Sequence, residues 1–190
     1  GIIYPIVMGW QWGGGWLAEL GFSDFAGSTL VHSTGGAAAL AGIMLLGSRT
    51  GRFDSKGEAK AMKPFAASSI PLVTIGVFIL WLGWFGFNGG SQLAIGTFDD
   101  AVAVSGIFIN TNLAACGGVM AAATITRLMY GKTDVVQMLN GAIGGLVAVT
   151  AEPLAPTPLA AIFIGAIGGL IVVFGTKLLF SFKLDDVVGA

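Results

Sequence analysis

The chain has 190 residues, of which 55% are hydrophobic and 10% charged, with a net charge of −1 and 31 glycines. A soluble domain carries about a quarter charged residues and about 7% glycine, so this balance excludes an ordinary soluble domain, and without a basic excess no nucleic-acid partner is expected. What remains is an all-α, polytopic bundle of transmembrane helices in a lipid bilayer.

A bilayer core of about 30 Å needs about 20 apolar residues per helix. A partial span over 1–10 comes first, followed by GWQWGGGW with Trp10, Trp12 and Trp16. Uncharged runs then cover 25–48, 64–98, 101–126, 135–151 and 153–176. The second is too long for one helix, and Pro64, Pro71 and the pair Gly89-Gly90 place its helix near 68–90. The reading gives about five full spans, with partial ones at both ends. The chain opens on Gly1 inside an apolar run and ends soon after a charged loop, as expected of an internal portion of a longer protein.

His32, the single histidine, lies inside the run 25–48. An ionisable group in hydrocarbon is costly and marks a functional site. Asp24, Ser28, His32 and Gly36 step by four, the spacing of one slowly drifting helical stripe. In the next long run, GWFGFNGGS groups Trp84, Phe85, Phe87, Asn88 and Ser91. Most such rings form an interfacial belt. An indole face also attracts a small ammonium-type cation by about 0.5–2 kcal/mol, and Ser91, just past a glycine helix end, can accept one of its protons.

Asn110, Thr111 and Asn112 interrupt an apolar run, where interhelical hydrogen bonds are the commonest use of such side chains. Cys116 is the lone cysteine, so it has no partner for a disulfide within the chain and reads as a small core residue. The string GAIGGL occurs at 141–146 and 165–170, a small-residue surface that lets helices approach closely. Thr150 and Asn140 are open to the same interhelical hydrogen bonding, although Thr150 stands at the external end of its span, where a passage would widen.

Basic residues fall in alternate loops: Arg49, Arg52, Lys56, Lys60 and Lys63, then Arg127 and Lys132, then Lys177 and Lys183. Those loops are cytoplasmic by the positive-inside rule. The intervening loops hold Glu19, Asp24, Asp99, Asp100 and Glu152, an acidic external mouth that raises the local concentration of cations. No Walker loop, HExxH or Cys/His metal spacing occurs, so neither an enzyme, a catalytic residue, a metal nor a cofactor is expected.

WGGGWL, DFAGSTLVHSTGG, GWFGFNGGS, LNGAIGGLVAVTA and the terminal DDVVGA, in that order along the chain, resemble the ammonium transporter (Amt/Rhesus) family over nearly the whole chain. The resemblance implies residues 1–190 as part of a single membrane domain, from the end of the fourth helix to the start of the tenth, in a homotrimer of the cell membrane. It implies transport of ammonium or ammonia, with methylammonium as an analogue, for nitrogen uptake, and a cytoplasmic regulatory protein as partner. Trp12 and Ser91 then match the external ammonium site and Asp24 the acid beside it. Phe87 matches a gating phenylalanine, His32 the first of two pore histidines, and Thr150 joins them as pore-lining. The family's halves form an inverted repeat, with Asp24-Phe-Ala-Gly-Ser echoed in Asp186-Val-Val-Gly-Ala. The second histidine is therefore expected about eight residues beyond Asp186. Two other roles fit the same residues: an ammonium sensor built on a transporter-like domain, and a carrier for another small solute in which His32 only packs helices together.

Overall fold

A computed structural model describes residues 1–53 and 66–187. It is all helical, with no β-strand among the described residues. In chain order come α1 (Ile3–Gln11), the single turn α2 (Trp16–Glu19), α3 (Ser28–Leu46), α4 (Ile70–Gly90), α5 (Phe98–Tyr130), α6 (Val135–Val149) and α7 (Pro158–Ser181). Among the described residues, α3, α4, α5 and α7 are long and apolar enough to cross a membrane. The chain is a multi-pass integral membrane protein.

Local chemistry explains where these helices start. Ser69 accepts from Leu72 N with Pro71 in the first turn of α4, and Thr157 accepts from Ala160 N with Pro158 at the head of α7. Each satisfies an N–H that has no partner inside the helix. Thr97 and Asp100 form a reciprocal capping box at α5, and Asp134 accepts from Val136 N and Gln137 N at α6. These caps correct the expected spans at their edges. Asp99, Asp100 and Arg127 belong to α5, and Lys177 is helical within α7 rather than in a loop. At 33 residues, α5 is about 50 Å long and outruns the hydrocarbon core, so its charged ends reach water.

The centre of the bundle is the trio α5, α6 and α7. GAIGGL serves as read, because the glycines let backbones touch. A Cβ at Gly118 would strike the backbone of Gly141, and one at Gly165 the backbone of Ala114. Helix α4 leans on this trio through Trp84 against Ala115 and Leu146, and through Val77 against Leu139 and Ala142. Asn110 donates to Pro153 O and Pro156 O at 2.9 and 2.8 Å, tying α5 to the connection between α6 and α7, and Asn88 donates to Thr111 Oγ1 at 3.0 Å, an interhelical tie between α4 and α5.

Helix α3 is held at both ends. Its head meets the C-terminal end of α6, and its tail meets the segment after α7 through Arg49 and Asp185. Arg49 and Arg52, from the first basic loop, and Lys183, from the third, lie together at this end. Lys56, Lys60 and Lys63 lie outside the described residues, as do the last residues of DDVVGA.

Candidate functional site

The site is built around the entry to α3. Asp24 precedes the helix and is 2% exposed. Its Oδ1 accepts from Gly27 N and Ser28 N at 2.9 and 3.0 Å, and its Oδ2 from Thr29 N and Leu30 N at 2.8 and 2.9 Å. A carboxylate is well suited to the exposed N–H groups of a helix start. Gly27 makes the turn possible with φ of 109°, and a Cβ there would meet Val31 Cγ2 at 2.5 Å and the Trp12 ring at 3.1 Å, so only glycine fits. Trp12 Nε1 donates to the Asp24 carbonyl at 2.8 Å, which ties the indole to the same turn while the residue stays 40% exposed.

The first turns of α3, Ser28–Ser33, are π-helical, with His32 N donating to Gly27 O, five residues back, at 3.1 Å. The expected stripe through Asp24, Ser28, His32 and Gly36 is therefore overturned, because Asp24 is not helical and the wider turn spreads residues four apart. Ser28 Oγ turns to α6 and donates to Val147 O at 2.8 Å. His32 turns to α4, where its ring lies over Trp84 at 4.9 Å between centroids with 24° between planes, and beside Phe87 at 5.3 Å. Its Nε2 is buried with no hydrogen-bond partner among the described residues.

Phe87 is 38% exposed, and Ser91, one turn on, is the C-terminal cap of α4 and donates to Phe87 O at 2.8 Å. With its proton committed there, the hydroxyl offers its lone pairs outward. Trp12 is thus tied to the turn that enters α3, and Ser91 to the end of α4 that carries Phe87.

Two expected site residues take different places. The Asp24 carboxylate is saturated by backbone, so it shapes the mouth without presenting a free oxygen to it. Thr150 is fully buried. Its hydroxyl sits between Leu146 O at 2.6 Å and Trp84 Nε1 at 2.8 Å, and any further chain could only cover it more, so it holds neighbours instead of lining a passage. Trp84, read as one ring of an interfacial belt, is 7% exposed and is the plate beneath His32. The available signal was its three-residue spacing from Phe87, which puts both rings on one face of α4.

The arrangement offers an indole face, an acceptor hydroxyl, then aromatic walls and an imidazole nitrogen without a partner. Such a nitrogen can donate or accept one hydrogen bond to a small polar solute. Among the described residues no group of His, Cys, Asp or Glu could hold a metal ion.

The profile of the Ammonium Transporter Family matches residues 1–190. Ammonium transporter Amt2 of Archaeoglobus fulgidus is 46% identical over 199 residues, an alignment that covers 100% of this chain and 41% of that protein. Among solved structures, one of a protein named Sensor Amt Protein matches with a TM-score of 0.90 at 36% identity, over 99% of this chain and 46% of that one. Mep2 of Saccharomyces cerevisiae matches with a TM-score of 0.85 at 30% identity, over 99% and 40% respectively. The chain thus spans less than half the length of these relatives.

Proposed function

The chain belongs to the ammonium transporter family, a family of transporters and not of enzymes, and from that premise we propose that it carries one wall of an ammonium passage, running between α3 and α4. Residues 1–190 are one portion of a single membrane domain in this reading, and the domain works as a homotrimer. The observation that carries the proposal is His32 stacked on Trp84 and tilted against Phe87, with Nε2 unpartnered among the described residues. An imidazole kept only for packing would be expected to spend its buried polar atoms on neighbours.

The mechanism follows from solvation. An intact ammonium ion loses several kcal/mol on entering a dry apolar throat, so the cation bound at the mouth gives its proton to water there and the throat passes the ammonia that remains. At the mouth, the Trp12 face attracts the cation and Ser91 accepts a hydrogen bond from it, while Asp24 holds Trp12 and the head of α3 in register. Phe87 closes the throat to hydrated ions. Past it, His32 replaces a lost water hydrogen bond and, as an imidazole, can take up or release a proton.

Replacing His32 by Ala in the protein reconstituted in lipid vesicles tests this reading. The expected result is loss of selective ammonium and methylammonium uptake with oligomer assembly unchanged. Uptake at the wild-type level, with unchanged ion selectivity, would overturn the passage and leave His32 as a packing residue.

A further inference from the structure

Thr150 ends α6 at a junction of three elements. Its hydroxyl donates to Leu146 O at 2.6 Å and accepts from Trp84 Nε1 at 2.8 Å, and its carbonyl oxygen accepts from Ala26 N at 3.1 Å. On either side the same helix end receives Phe25 N at Ala151 O, 2.8 Å, and Ser28 Oγ at Val147 O, 2.8 Å. Ala26 and Ser28 lead directly into the π-helical turn that carries His32, while Trp84 is the ring on which His32 lies. A single residue therefore grips the support of the imidazole through its backbone and the support of the indole through its side chain.

The chemistry of that grip is specific. An indole N–H can only donate, and a buried donor without a partner is costly, so the acceptor opposite Trp84 decides where the indole rests. Threonine is suited because its hydroxyl accepts from Trp84 while its own proton is committed to Leu146 O. Valine has nearly the same shape but offers no acceptor. Stacked rings keep their mutual angle only when both are referenced to one frame, and the last turn of α6 is that frame.

We infer that Thr150 is a positioning residue for transport, one that sets the His32–Trp84 stack without touching the ion. The inference rests on the reading in which His32 lines the passage, and it concerns the throat alone. Losing the acceptor should slow passage and leave recruitment at Trp12 and Ser91 unchanged.

The test compares Thr150→Val, Thr150→Ser, Trp84→Phe, the Val/Phe double variant and His32→Ala in reconstituted vesicles, with uptake normalised to folded protein measured by size exclusion. Thr150→Val is expected to lower maximal ammonium uptake about tenfold, the factor set by one lost buried hydrogen bond, with the half-saturating concentration unchanged. Thr150→Ser restores the rate. Trp84→Phe also lowers it, and adding Thr150→Val to Trp84→Phe lowers it no further, because that bond is already gone. A Thr150→Val protein that transports like wild type, or one whose half-saturating concentration rises instead, overturns the inference, as do Thr150→Val and Trp84→Phe losses that multiply. If Thr150→Val does not accumulate, Trp84→Phe decides alone: a slowed rate at constant half-saturation supports the inference and a wild-type rate overturns it. Wild-type uptake by His32→Ala overturns the passage itself, whereas a loss in His32→Ala with none in Thr150→Val overturns only the role of Thr150.

Discussion

Between α5, α6 and α7 the contacts are backbone on backbone, as where Gly118 meets Gly141 and Gly165 meets Ala114. Between α3 and α4 they are ring on ring, with His32 against Trp84 and Phe87. Close approach of small residues leaves no room for a passenger, so the trio is a dry scaffold whose shape is fixed by van der Waals contact. Rings that meet at 4.9 to 5.3 Å, one of them with an unpartnered nitrogen, form a wall that a small polar solute can use. In the proposed passage, stability and transport fall to different layers of one bundle, joined at the C-terminal end of α6.

The sharpest way to break this comparison is to put bulk into the trio. Gly165→Leu should cost about 3 kcal/mol or more through overpacking against a backbone that cannot retreat, and abolish the monodisperse peak on size exclusion in detergent. Gly83→Ala, on α4 with open space where its Cβ would sit, should leave that peak intact. Equal tolerance of both would show that the trio is not the scaffold.

At the mouth the expected effect is smaller. Trp12→Leu removes the indole face and its hydrogen bond to Asp24 O while keeping apolar bulk, and should raise the half-saturating ammonium concentration several-fold, in line with about 0.5–2 kcal/mol for a cation over an aromatic ring. Maximal uptake should change much less. The opposite split would move Trp12 from recruitment into the throat.

A third kind of joint, ionic and at the end where Arg49, Arg52 and Lys183 gather, should matter least. Arg49 reaches Asp185 at 2.7 Å, with the Arg49 side chain 47% exposed, and its hydrogen bond holds the Asp185 carboxyl below the usual carboxylate range. A depressed folded pKa stabilises above the ordinary carboxyl value, near 4, and that contribution fades as the pH falls through the depressed value. Asp185→Asn should therefore cost about 1 kcal/mol at neutral pH, read as a lower melting temperature, and the gap to wild type should close on acidification below pH ~4. A gap that widened in acid would contradict the ion pair as its source.

Much of the fold was legible in the sequence because lipid imposes a simple rule of length and charge. The helix expected near 68–90 is Ile70–Gly90, and the glycine strings mark the close contacts of α6 and α7. Within the site, His32 and Phe87 stood out as residue types, yet nothing local could say that they meet, since they are 55 positions apart. Asp24 was misread for a physical reason: a step of four assumes an α-helix, and the left-handed Gly27 with the π-helical turn after it breaks that register. Trp84 was hidden among neighbouring rings, because which ring turns inward depends on a partner 66 residues away, Thr150. Thr150 itself was open between interhelical hydrogen bonding and the widening mouth, and only the tertiary structure, in which α6 ends at Val149 and the hydroxyl joins Leu146 O to Trp84 Nε1, decides for the first.

The division between wall and scaffold is tested most directly by a matched pair of conservative changes at the same membrane face. In a Cys116→Ser background, Ser91→Cys places a thiol at the end of α4, and Ser105→Cys places one on the exposed side of α5, where the native hydroxyl only donates to Ala101 O. Ammonium uptake in vesicles is measured before and after a bulky thiol reagent. The account predicts that the reagent blocks uptake through Ser91→Cys and leaves Ser105→Cys unaffected. Block at position 105 with free passage at position 91 would contradict it.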